Sequence, residues 1–157
     1  MIELQIPGWG HLEIQNLVLD FNGTLATDGA LIEGVAQQLC RLHEQGVNIY
    51  VITADTNGTV REECEGLPVE VLVYDSATVA INKMELVCQL GADRTASIGN
   101  GRNDRKMFSA SALSIAVLGE EGACVQSLLR ADILVTSITQ ALELLLSPHR
   151  LKATLRG

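Results

Sequence analysis

The stretch LVLDFNGTLA, residues 17–26, decides how this chain is read. Leu17, Val18 and Leu19 run straight into Asp20, and a small polar turn, Phe21-Asn22-Gly23-Thr24, follows. An unbroken aliphatic run of this kind predicts a strand buried on both faces. In open α/β sheets ligands bind beyond the carboxyl ends of the strands, and Asp20 falls at such an end. A carboxylate there has three uses: it caps the following turn, it binds a hard cation, or it attacks an electrophile such as phosphorus. Asn22, two residues on, is an amide and not a second acid.

Outward from this stretch, the chain alternates between short aliphatic strands and helices of about ten residues. On the N-terminal side, IELQI and HLEIQ flank the turn PGWG and predict a β-hairpin. On the C-terminal side, LIEGVAQQLCRLHEQG has Leu31, Val35, Leu39 and Leu42 at helical spacing and stops at Gly46. VNIYVIT, VEVLVY, TASIGN, LSIAVLG and DILVTS read as further strands. TVREECEG, NKMELVCQLG, DRKMFSAS, GACVQSLLR and ITQALELLLS read as the helices between and after them. The expected fold class is α/β: a Rossmann-like, three-layer α/β/α core around a mostly parallel sheet, with an N-terminal β-hairpin. One domain of 157 residues is expected, with the hairpin over 1–16, the core over 17–147 and a basic tail over 148–157.

The bulk numbers exclude some partners. Formal net charge is −8, so the chain should repel nucleic acid and anionic membrane surfaces. No apolar run approaches the ~20 residues of a membrane span. MIELQIPGWG lacks a basic segment followed by an apolar one, so no secretion signal is expected and the protein is expected in the cytoplasm. Cys40, Cys64, Cys88 and Cys124 are far apart and lie in aliphatic contexts, which predicts buried thiols and neither a disulfide nor a zinc site.

Four positions carry candidate chemistry. Asp20 is the first, with Gly23 and Thr24 in a turn whose N–H groups can face an anion. Thr53 ends the next strand in VITAD, where its hydroxyl can reach a phosphate oxygen or only close the strand. Lys83, in INKMEL, is one of three lysines and is either a phosphate partner or ordinary solvated surface. Asn100, Asn103 and Asp104 lie in SIGNGRNDRKMF, between a strand and a helix. Their oxygens suit Mg²⁺, and they suit helix capping equally well.

Taken together and in this order, the four resemble the haloacid dehalogenase superfamily of phosphotransferases. Its first motif, D-x-D-G-T-L/V, reads D-F-N-G-T-L here, Asp20 to Leu25. Its strand-end Thr or Ser is Thr53, its Lys is Lys83, and its G-D-x-x-x-D-like motif reads G-N-G-R-N-D, Gly99 to Asp104. TAD at 53–55 is similar to the TGD of P-type ATPases, and SIAVLG and RADILVTS resemble the segments that follow in their phosphorylation domain. The chain as a whole looks like the small soluble P-type ATPases, over about residues 12–147. Only 28 residues lie between Thr24 and Thr53, too few for a nucleotide-binding domain, and no large cap is expected before Lys83. Ion transport is therefore not expected.

The resemblance implies a Mg²⁺-dependent phosphohydrolase acting on a small phosphorylated substrate through an aspartyl phosphate. Catalysis would fall to Asp20, Asn22, Thr53 and Lys83. Phosphate would be held by Gly23, Thr24, Thr53, Ala54, Lys83 and Asn103, and the metal by Asp20, Asn22, Asn100 and Asp104. Capless members often complete the site with a neighbouring subunit, which implies a homo-oligomer. Two departures matter. Asn22 stands where the superfamily phosphatases have their general acid/base, and an amide does not titrate near neutral pH. Losing such a group typically removes ~10²–10⁴ in rate. Asn100 replaces a metal-binding carboxylate and brings no charge. The expected enzyme is slow, or its phosphoenzyme persists. The rival expectation is a phosphate-binding or regulatory module that never turns over. A phosphorelay receiver domain has its acidic pair and nucleophile in a different strand order.

Overall fold

The computed structural model describes residues 1–55 and 58–157. Its frame is a six-stranded sheet in which every pairing is parallel. The strands that alternate with helices in sequence form it: β3 (Asn16–Asp20), β6 (Asn48–Thr53), β7 (Glu70–Val73), β8 (Thr95–Gly99), β9 (Leu113–Val117) and β10 (Ile133–Val135). Their order is β10-β9-β8-β3-β6-β7. The chain first builds outward from β3 through β6 to β7. It then returns to the other side of β3 and builds through β8 to β10. The order reverses between β3 and β8, and at such a switch point the connections diverge and leave a crevice at the carboxyl edge.

Two aliphatic layers cover the sheet, as the uninterrupted strands predicted. Leu17 and Leu19 of β3 face one core, with α1 (Val35–Glu44), α6 (Ile138–Leu146) and α7 (Pro148–Leu155). Val18 faces the other, with α3 (Val79–Leu90) and α4 (Arg105–Ala110). Side chains alternate along a strand, so Asp20 shares the α3 face with Val18. The short helices α2 (Val60–Glu63) and α5 (Val125–Leu128) complete the helical set. The N-terminal hairpin pairs β1 (Ile2–Ile6) with β2 (Gly10–Ile14). It meets the amino edge of the sheet, where Gln15 bonds the backbone of Arg94 and Asn48. Among the described residues no helix is long and apolar enough to cross a membrane.

Three sequence expectations need correction. The predicted helix beginning at Leu31 begins at Val35. Leu31 instead pairs with Ala26 in a small antiparallel hairpin, β4 (Ala26–Thr27) and β5 (Ala30–Leu31), whose turn Asp28-Gly29 has both residues at positive φ. Strands this short show no periodicity, although the Asp-Gly pair is a recognised turn signal. The basic tail is α7, which buries Leu151 fully and leaves Lys152 exposed. The cysteines carry no disulfide, but only Cys64 is buried. Cys88 lies on the outer face of α3 and is exposed.

The tail helix thus belongs to the core. Leu151→Ala should cost about 2–5 kcal/mol, read as a lower urea midpoint, whereas Lys152→Ala should leave the midpoint within error. Equal effects would mean that α7 does not pack as described.

Candidate active site

α3 buries Val79, Lys83, Leu86 and Val87, the i, i+4, i+7, i+8 stripe of a core-facing helix. A lysine therefore occupies a core position, and its side chain is fully buried. A buried ammonium is tolerated only when its donors are met. Lys83 Nζ donates to Asp20 Oδ1 at 2.8 Å, to Asp104 Oδ1 at 2.7 Å and to Asn103 Oδ1 at 2.8 Å. All three N–H groups are used. The strand ending on Asp20, the loop after β8 and helix α3 thus meet at one nitrogen, beside the crevice between β3 and β8.

The second oxygen of Asp104 accepts the backbone N–H groups of Asn100 at 3.0 Å and Gly101 at 2.9 Å. This closes the GNGRND loop into a tight turn, and the Asp104 carboxylate packs so closely on Gly99 that a Cβ there would collide with it. Asp104, fully buried and with both oxygens occupied, is turned toward lysine and loop. That geometry does not favour the expected metal-ligand role.

Asp20 is nearly buried. Its Oδ2 accepts from Thr24 Oγ1 at 3.3 Å, and the same hydroxyl lies 3.2 Å from Asn100 Oδ1. Asn100 Nδ2 donates to the carbonyl of Gly122 at 3.1 Å, which fixes the amide with its oxygen toward the Thr24 hydroxyl. Gly23 adopts φ +76, and a Cβ on it would come within 2.6 Å of the Asn100 amide. Only glycine leaves this space open. The oxygens on this side are one carboxylate, one amide and the nearby main chain of Asn22. This hard-oxygen set fits a divalent cation such as Mg²⁺, with little anionic charge to hold it. Among the described residues no group of three or more His, Cys, Asp and Glu side chains is arranged to hold a metal.

The remaining sequence candidates are placed as follows. The N–H of Gly23 donates to Ala26 O and that of Thr24 to Phe21 O, so these donors close their own turn and do not face an anion. Thr53 is buried at the end of β6, next to β3, and its hydroxyl accepts the N–H of Asp55 at 3.1 Å. Ala54 packs half-buried beside it. Asn22 is partly exposed and lines an open cavity of about 520 Å³. That cavity's carboxylates, Asp28, Asp55 and Glu121, escaped the sequence reading. Asp28 carried a signal in its Asp-Gly turn; Glu121 carried none.

Burial, and then the charge of Asp104, push the Asp20 carboxyl up to about 7, against the lowering by Lys83 and Thr24. For Lys83, burial alone would lower the ammonium's pKa. The charges of Asp20 and Asp104 and their hydrogen bonds outweigh it, and the net direction is upward.

We compared the chain with known proteins. No family model matches it. The uncharacterized protein MJ0073 of Methanocaldococcus jannaschii is 48% identical over 60 residues, which is 38% of this chain and 64% of that protein. The uncharacterized protein MJ0072 of the same organism is 49% identical over 41 residues, 26% of this chain and 91% of that protein. Among solved structures, a 3-deoxy-D-manno-octulosonate 8-phosphate phosphatase of Moraxella catarrhalis, in complex with magnesium, phosphate and KDO, has TM-score 0.72 and 18% identity. The match covers 91% of this chain and 94% of that one. The cobalt-bound deoxy-D-mannose-octulosonate 8-phosphate phosphatase of Haemophilus influenzae has TM-score 0.73 and 16% identity, over 92% and 94% of the two chains. These likenesses establish the fold.

The buried charges make two predictions. Lys83→Met leaves two carboxylates without their cation and should cost about 3–5 kcal/mol at pH 8, measured by urea unfolding. Asp20→Asn should have the opposite sign in metal-free protein. The folded carboxyl titrates near 7, above its usual value near 3.8. The native state therefore binds the extra proton between those values, and stability falls as pH rises through them. The amide of the variant never ionises. Its melting point should exceed wild type at pH 8, by about 2–4 °C per kcal/mol gained, and the excess should shrink steadily as pH falls toward 4. A variant less stable at pH 8 would contradict the raised pKa.

Proposed function

From a chain that belongs in one family with MJ0072 and has the haloacid dehalogenase fold, we propose a phosphohydrolase that acts through phosphorylated Asp20. One observation carries the reading: a nearly buried carboxylate ends the strand at the switch point, held by a buried lysine that the GNGRND loop also binds. A purely structural ion pair requires no such position.

The chemistry follows from the donors. Asp20 attacks phosphorus, the ester oxygen leaves, and the phosphoryl group becomes an acyl phosphate on the side chain. Lys83 then trades a carboxylate contact for a phosphoryl oxygen and neutralises the charge that develops there. Asn103 accepts from Lys83 through Oδ1 and has its amide N–H groups left for phosphate. The Thr53 hydroxyl and the Ala54 N–H, at the end of the adjacent strand, supply further donors. Asp20, Asn100 and the Asn22 carbonyl would hold the divalent cation, Mg²⁺ by the hardness of the set, and Asp104 positions Lys83 and the loop. When bound, the cation screens the negative charge of the phosphate from that of Asp20.

Asn22 limits the reaction. It cannot protonate a poor leaving group or deprotonate water. Substrates that need no leaving-group protonation, such as acyl phosphates and nitrophenyl phosphate, should react best, and the phosphoenzyme should outlive one that has an acid/base at position 22. Bound at a site that does not turn over, a phosphorylated ligand would instead make the chain a regulatory module. Asn22 is the observation in favour of that second reading.

Incubation with radiolabelled acetyl phosphate and Mg²⁺ should label the wild type and leave Asp20→Asn unlabelled; equal labelling would overturn the assignment of the nucleophile. Asn22→Asp should raise turnover of nitrophenyl phosphate by ~10²-fold or more. No gain would favour the binding module.

A further inference from the structure

The proposed phosphoenzyme needs a route to hydrolysis, and this inference rests on that reading. Asn22 shares its cavity with three carboxylates, Asp28, Asp55 and Glu121. They are not equivalent. Asp55 lies against Gly58, where a Cβ would come within 2.6 Å of its Oδ2, and its own N–H is tied to Thr53. Asp28 sits at the exposed tip of the β4–β5 hairpin at φ +52. Glu121 stands in a turn closed by the Gly122 N–H on Gly119 O at 2.9 Å.

That turn is bolted to the site. Asn100 Nδ2 donates to Gly122 O at 3.1 Å, immediately after Glu121. The N–H of Cys124 donates to Asn100 O at 2.8 Å, and Ser127 Oγ to Gly101 O at 2.7 Å. One residue, Asn100, therefore holds the loop from its side chain and its main chain, and its amide oxygen accepts from Thr24, whose hydroxyl also reaches Asp20. A carboxylate at position 100 would set an acceptor against the Gly122 carbonyl and could not make this bond. The amide at 100 fixes the backbone beside Glu121, and the amide at 22 leaves a vacancy for a base in the cavity that Glu121 lines.

We propose that Glu121 is the catalytic base for hydrolysis of phospho-Asp20. The Glu121 carboxylate takes a proton from water as the water oxygen bonds to phosphorus. The bond between phosphorus and the Asp20 oxygen breaks, Asp20 leaves as a carboxylate, and inorganic phosphate departs. Glu121 then returns its proton to solvent. Hydrolysis of the phosphoenzyme then has its own base, carried by the turn that Asn100 holds.

The test separates the two steps. Protein labelled with radioactive acetyl phosphate and Mg²⁺ is chased with unlabelled donor, and label formation and decay are timed for wild type, Glu121→Gln, Asp28→Asn, Asp55→Asn, Asn22→Asp and the double variant Asn22→Asp with Glu121→Gln. Glu121→Gln should slow decay ~10-fold or more without slowing formation, and the double variant should decay like Asn22→Asp, whose new carboxylate makes Glu121 redundant. Decay at the wild-type rate in Glu121→Gln overturns this proposal alone, as does a slowed decay confined to Asp28→Asn or Asp55→Asn. Slowing of both steps by Glu121→Gln also overturns it, because a merely displaced loop would do that. Absence of any label in the wild type removes the phosphoenzyme itself, and with it both readings.

Discussion

The Lys83 ammonium is the interaction on which the rest depends. It is buried, its three donors are all used, and it carries one positive charge against two carboxylates. Either carboxylate without it would be an uncompensated buried charge, and it without them would be a desolvated cation. Burial first, and then the charge of Asp104, push Asp20 upward in spite of Lys83. An excess of negative charge of this kind is what a bound cation would relieve. The hydrogen bonds of Asp104 to the Asn100 and Gly101 N–H groups extend the same constraint into the loop.

Much of this was legible in the sequence, for identifiable reasons. Buried parallel strands are rich in aliphatic residues, so β3, β6 and β9 stand out without any pairing information. The sheet's carboxyl edge follows from the direction of those strands, and Asp20, Thr53 and Asn100 could be placed there before their distances were known. Lys83 carried a signal that spacing alone contains: it lies on the same stripe as Val79, Leu86 and Val87. What was not legible depends on contacts distant in sequence or on elements too short to be periodic. The Asp104 carboxylate suited a metal or a helix cap equally well in the sequence, and its contact with Lys83 was not foreseen. The turn N–H groups of Gly23 and Thr24 looked available until their internal acceptors were seen. The tail looked basic because Arg150, Lys152 and Arg156 are conspicuous, whereas the one residue that docks it is Leu151.

The two amides have different physical consequences. Asn22 is a simple subtraction: a titrating group is absent from a partly exposed position. Asn100 is an exchange. As an amide it carries no charge and has an N–H donor that ties Gly122 to the β8 loop. Gly122 and the loop after β8 are thereby tied together at the crevice, where amides and main chain stand beside the carboxylates.

Sequence separation within the triad has a consequence for biosynthesis. Lys83 lies 63 residues after Asp20, and Asp104 a further 21. While the chain is being made, the Asp20 carboxylate emerges long before its counter-cation, and the loop that steadies that cation comes later still. Closing these loops costs entropy that only the finished sheet repays. A nascent or partly melted chain therefore has a carboxylate of ordinary acidity where the native protein has one pushed upward by burial. The environment of Asp20 is in that sense made by folding alone: it exists only when three remote stretches of chain have agreed on one structure.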